Sequence, residues 1–212
     1  EKQHSWSGMR DRLTSGELDA AHALYGLLYG LQMGIGSTAR DMAVLMNLNQ
    51  NGQAIVLSRA IAAAGVKDGA GLAALMREQP RRYTFGHTFP TGNHAMWLCY
   101  WLAAAGIDPA GQTRLVTVPP GQMAANLEAG HMDGFCAGEP WSRRAVIEAS
   151  GVLVAPSSQV WPDHPGKALG ARADFVARHP NTCRALVAAL LDTARWLDSS
   201  PTNREAAAEV LA

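Results

Sequence analysis

A chain of 212 residues with 48% hydrophobic and 17% charged side chains can bury one sizeable core or two small ones. Its 18 basic and 18 acidic residues cancel and form no basic run, which argues against a nucleic-acid surface built on clustered Lys and Arg. No apolar run approaches the roughly 20 residues of a membrane helix, and the opening Glu1–Trp6 has no apolar core of the signal-peptide kind. Cys99, Cys136 and Cys183 stand in unrelated settings without CxxC or metal spacing. Cys99 and Cys136 read as small core residues, and an oxidised framework is not expected.

In chain order, Ser7 to Leu13 reads as a helix stopped by Ser15-Gly16, and Leu18 to Ala23 as a buried strand. An apolar segment with glycines at 26, 30 and 34 follows. Met42 to Asn47 is a strand, Asn49 to Gln53 a loop with an Asn-Gly turn signal, and Ala54 to Leu57 an extended run. Leu72 to Arg77 is helical, closed by Pro80. Tyr83 to His87 is a strand, Thr88 to Asn93 a loop, and His94 to Ala104 a helix stopped by Gly106. Arg114 to Val118 is a strand, and Pro119-Pro120 opens a helix that runs through Gln122–Ala129. Asp133 to Cys136 is a short buried strand, with Gly138 bare at its end and Pro140 suited to the first turn of the next helix. Ser142 to Ala149 is helix, Val152 to Ala155 strand, Ser157 to Gly166 loop, Ala168 to Arg172 a returning strand, and Cys183 to Leu197 helix. Strands alternating with helices throughout define an α/β chain.

An internal repeat suggests two similarly wound lobes. Leu13-Thr14-Ser15-Gly16-Glu17-Leu18-Asp19-Ala20 and Leu127-Glu128-Ala129-Gly130-His131-Met132-Asp133-Gly134 share the pattern Leu-x-small-Gly-x-apolar-Asp-small. Each closes a helix and opens a strand, with Asp19 and Asp133 read as structural residues bonding turn backbone. A strand ending in glycine beside a new helix exposes unpaired N–H groups, the place where open α/β sheets bind small anions. The first lobe boundary is placed at Arg82, giving residues 1–82 and 156–212 to lobe one and 83–155 to lobe two. No H-E-x-x-H, G-x-S-x-G, P-loop or G-x-G-x-x-G pattern is present. Binding, without a cofactor or metal, is expected rather than catalysis. An enzyme using His94 or His87 as a base is the distant alternative.

Four separated motifs occur in order: Gly86 to Trp101, Val118 to Met123, Asp133 to Trp141, and Trp161 to Gly170. Together they resemble the nitrate/bicarbonate-binding protein family, which comprises solute-binding proteins of nitrate importers and a related cytoplasmic nitrate/nitrite sensor. The resemblance implies a two-lobed, periplasmic-binding-protein-like (type II) fold with nitrate or nitrite in a central cleft. It implies as partners either ABC permease subunits or, for a sensor, a regulatory protein. An importer component would be periplasmic or membrane-anchored and a sensor cytoplasmic. Relative to the family, the chain lacks the first strand and helix of lobe one.

A buried monoanion needs several N–H donors or a countercharge, since an uncompensated one costs several kcal/mol. By resemblance, Lys167 pairs with the anion, although a lysine in a Pro- and Gly-bounded loop is ordinarily a solvated surface group. In the bicarbonate branch this position resembles a glutamate that helps hold calcium, so lysine implies nitrate or nitrite and no metal. His94, at a helix start, and Gln53, after the Asn51-Gly52 turn, match the family's side-chain donors. Gly138 matches a backbone donor, and Trp6 matches the cleft tryptophan. Trp97, Trp101, Trp141 and Trp161 read as core or hinge packing. Glu139 would oppose an anion and is expected to pair with Arg143.

Overall fold

The computed structural model describes residues 5–211. The part of the opening Glu1–Trp6 run before Ser5 lies outside the described residues. In chain order the elements are α1 (Trp6–Ser15), β1 (Ala20–Leu24), α2 (Tyr25–Met33), β2 (Met42–Gln50), β3 (Gln53–Ser58), α3 (Arg59–Ala63), α4 (Gly69–Glu78), β4 (Tyr83–His87) and α5 (Asn93–Ala104). They continue with β5 (Thr113–Thr117), a 3₁₀ turn (Pro120–Gln122), α6 (Met123–Glu128), β6 (Gly134–Gly138), α7 (Trp141–Ile147), β7 (Gly151–Pro156) and α8 (Ser157–Val160). The chain ends in β8 (Pro165–Arg172), α9 (Ala173–Arg178), α10 (Pro180–Ser199) and α11 (Pro201–Leu211).

The strands form two sheets. A three-stranded antiparallel sheet has the order β1-β8-β2, and a five-stranded mixed sheet has the order β5-β4-β6-β3-β7. Within the larger sheet, β4 runs parallel to both β5 and β6, while β3 is antiparallel to β6 and β7. The chain leaves β4 for β5 on one side and returns across it to β6 on the other. The carboxyl ends of β4 and β6 therefore flank a topological switch point, where open α/β sheets bind ligands. One face of this sheet packs on α4 and α5 through Ile55, Leu57, Phe85, Leu98 and Cys136, and the other on α6 and α7 through Val56, Met123, Phe135 and Ala145. A separate core joins α1 and α2 to the smaller sheet through Leu13, Leu24, Leu27 and Ala168.

The expected lobe boundary at Arg82 falls between strands of a single sheet. The chain changes sheets at Asn51-Gly52 instead, where both residues take left-handed φ of 56° and 76°. All six residues of β3 are buried, so its apolar run needs neighbours on both edges and both faces. It finds them in β6 and β7, and not in the adjacent β2. Helices α3 and α4 follow it onto the larger sheet's side. The expected Asn49–Gln53 loop shrinks to two residues, and the expected loop over 157–166 begins with the single-turn helix α8.

The repeat has a shared physical basis. Gly16 and Gly130 both end helical segments with left-handed φ, 87° and 73°. Asp19 and Asp133 then each accept from an arginine, Arg172 Nη2 at 3.0 Å and Arg81 Nη1 at 2.9 Å. Asp133 does more than close a turn. Its Oδ2 accepts from the Thr84 N–H at 2.8 Å, its N–H donates to Thr84 O at 2.7 Å, and its carbonyl accepts from Ser58 N at 2.8 Å. One residue thus ties β3, β4 and β6 at the amino end of β6. Asp133→Ala leaves the Thr84 N–H without its acceptor and is expected to lower unfolding free energy by about 1–3 kcal/mol. Chemical denaturation measures this, and an unchanged midpoint contradicts it.

Candidate functional site

The site is built where the two sheets meet, from the last residues of β4 and β6, the turn into β3, and the first residues of β8. In the β3–β6 ladder, Ser58 N donates to Asp133 O and Glu139 N donates to Gly52 O. Hydrogen-bonded pairs alternate with open ones in an antiparallel ladder, so Gln53 and Gly138 form an open pair. Their N–H groups point away from each other, and their Cβ positions share one face. Gly138 has no side chain there, and the space matters. A methyl group on Gly138 would lie 3.4 Å from His94 Nε2 and 3.5 Å from Lys167 Nζ. The ring nitrogen and the ammonium therefore converge on bare backbone, beside Gln53.

Each of these groups is held by its own local structure. His94 is the second residue of α5, whose start at Gly92 has no side-chain cap, so the helix's positive end opens toward the site. The residue is 2% exposed, with Nδ1 hydrogen-bonded to Thr88 Oγ1 and Nε2 without a partner among the described residues. Gln53 is equally buried, and neither its Oε1 nor its Nε2 has a partner among the described residues. An orphaned amide costs about 1–3 kcal/mol, and a ligand that accepts from Nε2 recovers part of that. Lys167 is half-buried at the start of β8, opposite Leu24 of β1 and Asn49 of β2. Asn49 Oδ1 accepts the Lys167 N–H at 2.8 Å and fixes the backbone. Burial lowers the pKa of its ammonium, the nearby Cys136 thiol acts the other way, and no carboxylate pairs with it among the described residues.

Trp6 stands one step further out. It starts α1 after the Ser5 cap, and its ring lies tilted against His22 at 5.7 Å. His22 in turn is close enough to Lys167 for the ammonium to lower its pKa, after burial as the larger cause. Of the five residues singled out in the sequence, His94 and Lys167 bring their nitrogens to Gly138, Gln53 stands opposite Gly138 in the ladder, and Trp6 lies further out against His22. Glu139 does not pair with the Arg143 guanidinium. Its Oε2 accepts the Arg143 N–H at 2.9 Å, as a helix-start acceptor for α7. Trp97 is core and packs on His164 at 4.4 Å, while Trp161 is 57% exposed and meets only the edge of Trp97.

Sequence reading missed three residues. Asn93 bridges the sheets, accepting from Gly26 N at 2.9 Å and donating to Pro165 O at 3.1 Å. Asn49 holds the Lys167 backbone, and Thr88 holds the His94 ring. All three are turn-forming residues in loops or at element ends, and the only available signal was their closeness to the motif residues. No group of three His, Cys, Asp or Glu able to hold a metal is present among the described residues.

Two sheets joined across a cleft, with donors converging at the switch point, define the fold of periplasmic solute-binding proteins. The profile of the NMT1-like family matches residues 1–212, and the chain belongs to that family. It is 38% identical over 213 residues to the nitrate/nitrite binding protein NrtA of Synechocystis, covering 96% of this chain and 47% of that protein. It is 36% identical over 214 residues to the bicarbonate transport ATP-binding protein CmpC of the same organism, covering all of this chain and 32% of that protein. The crystal structure of the periplasmic nitrate-binding protein NrtA from Synechocystis superposes with a TM-score of 0.90 at 37% identity, covering 99% of this chain and 56% of that one. The chain therefore spans about half the length of NrtA and about a third that of CmpC.

The site makes the ligand-free protein sensitive to acid. Burial holds the His94 pKa well below the ordinary range, reinforced by Lys167 and His87. Burial likewise lowers His87, and burial with Lys167 lowers His22. Below about pH 6.5 the unfolded chain then binds more protons than the folded one. Stability is full above that pH and is lost as pH falls from there through the folded-state values. Melting temperatures of the ligand-free protein should fall between pH 7 and pH 5.5, less steeply in His94→Asn. A flat profile, or identical slopes, contradicts this.

Proposed function

We propose that this chain binds nitrate, or the closely related nitrite, between its two sheets, as part of the solute-binding component of an ABC importer. The observation that carries the reading is the gap at Gly138, where the His94 Nε2 and Lys167 Nζ atoms converge beside the unpartnered Gln53 amide. A planar monoanion there meets one ammonium, a ring N–H and an amide NH₂, and it contributes one negative charge against one positive charge. A sulfate dianion in the same gap leaves a charge without compensation in a partly dehydrated site. Calcium-assisted bicarbonate binding requires carboxylates where the cleft presents an ammonium. NrtA, whose fold this chain shares at 37% identity, is a periplasmic nitrate-binding protein by name, and this supports the same ligand and a periplasmic location here. The role we assign is binding without chemistry, in keeping with the binding-protein names of its relatives.

Calorimetric titration tests the reading. Nitrate should bind with one site per chain, with bicarbonate and sulfate much weaker. In Lys167→Ala the bound anion loses its countercharge, a loss of about 2–5 kcal/mol, or roughly two decades or more in affinity. The ligand-free melting temperature should change little, because the ammonium has no hydrogen-bond or ion-pair partner among the described residues. Calcium-dependent bicarbonate binding, or nitrate affinity unchanged in the variant, contradicts the proposal.

A further inference from the structure

Two of the buried histidines, His164 and His94, are held differently. His164 is 1% exposed, and its Nδ1 faces the carbonyl of Pro165 at 3.1 Å. A carbonyl only accepts, so the Nδ1 of His164 carries the proton and its Nε2 presents a lone pair. His94 is 2% exposed, but its Nδ1 faces the hydroxyl of Thr88, itself 4% exposed. A hydroxyl can donate, and that difference decides what the other nitrogen offers to the gap.

Resting on the anion-site reading above, we infer that Thr88 is the positioning residue for the anion site: its hydroxyl donates to His94 Nδ1 and holds the neutral ring as the Nε2–H tautomer, so that a proton and not a lone pair faces the gap at Gly138. Three forms of the ring are open to comparison. A doubly protonated ring adds a second positive charge beside Lys167 in a buried setting, which burial and that ammonium both oppose. A ring protonated on Nδ1 turns an acceptor lone pair toward an incoming anion. It would also invite the Lys167 ammonium to donate to Nε2, and no such hydrogen bond is formed, because Nε2 has no partner among the described residues. The Nε2–H form leaves Nδ1 free to accept from Thr88 and offers the anion a neutral donor.

The topology explains why position 88 can do this. Thr88 follows β4 directly, and the turn 89–92 closes with Gly92 N donating to Phe89 O at 3.0 Å. This brings the start of α5 back over the strand's carboxyl end, and the hydroxyl meets a ring six residues later in the chain. The consequence is a division of labour. Lys167 supplies charge, and His94 supplies direction without charge.

Two-bond ¹H–¹⁵N correlation spectra of the histidine-labelled protein, with His94 assigned from the His94→Asn spectrum, read the tautomer directly. In the ligand-free protein at pH 7.5, His94 should be neutral with its proton on Nε2. Thr88→Val, which keeps the shape and removes the hydroxyl, should introduce the Nδ1–H form and weaken nitrate binding about tenfold, the effect of one neutral hydrogen bond. Thr88→Ser should restore both. A parent His94 protonated on Nδ1 or on both nitrogens overturns the inference, as does a Thr88→Val spectrum with the tautomer unchanged. If the tautomers behave as stated but no variant binds nitrate, the assignment of Thr88 stands and the nitrate reading fails.

Discussion

The site depends on one side chain, Asn93, which holds the two sheets in register with each other. It is the first residue of α5 and 4% exposed. Its Oδ1 accepts from the N–H of Gly26 at the start of α2, and its Nδ2 donates to the carbonyls of Pro165 and Gly166 at the start of β8. The amide therefore joins the helix that carries His94 to the strand that carries Lys167. Without that link, the ring nitrogen and the ammonium would belong to separately packed bodies, and their meeting at Gly138 would not be set. The close fit of Gly26 and Gly30 against Thr91 serves the same junction, since a side chain at either glycine would strike the loop before α5. The asparagine needs its buried groups satisfied, and this arrangement of the sheets satisfies them.

Electrostatics follow from the junction. The ligand-free site concentrates unmet polar groups: a lysine with no carboxylate beside it, a neutral histidine with a bare Nε2, and a buried glutamine amide. Each carries a cost while the site holds no anion, since a buried donor without an acceptor loses its hydration without replacement. These costs are properties of the ligand-free state, and the proposed anion would relieve them. Differential stabilisation of one state by ligand is what lets a two-sheet protein report occupancy to a partner. The two acidic residues that bracket β6 are committed elsewhere. Glu139 is turned to the start of α7, and Asp133 is committed to Arg81 and Thr84 at the far end of β6.

Much of the framework was legible because it rests on local chemistry. The Tyr83–His87 strand, the aromatic helix after Asn93 and the glycine at the end of β6 each announce themselves by pattern, and the paired Gly–Asp turns by repetition. What was not legible is tertiary. The Asn51-Gly52 signal marks a turn but not whether the following strand pairs with the preceding one. Here the strand is buried on every side and joins β6 and β7 instead. Asn93, Asn49 and Thr88 look like ordinary turn formers, and their roles depend on atoms 72, 118 and 6 residues away. Glu139 and Arg143 have helical spacing, but the carboxylate found the closer backbone N–H.

The central claim is that a small anion occupies the space left by the missing side chain at Gly138. Its most direct measurement is the nitrate affinity of Gly138→Ala. The backbone there is not left-handed, and the added methyl would meet its neighbours only at 3.4 to 3.7 Å, so the ligand-free fold should survive. The methyl would stand in the space the anion needs, between the His94 nitrogen and the Lys167 ammonium. Crowding of this kind costs about 1–3 kcal/mol, so affinity should fall by about tenfold or more while the melting temperature of the ligand-free protein stays near that of the parent. Nitrate bound by Gly138→Ala as tightly as by the parent would place the anion elsewhere and contradict the account.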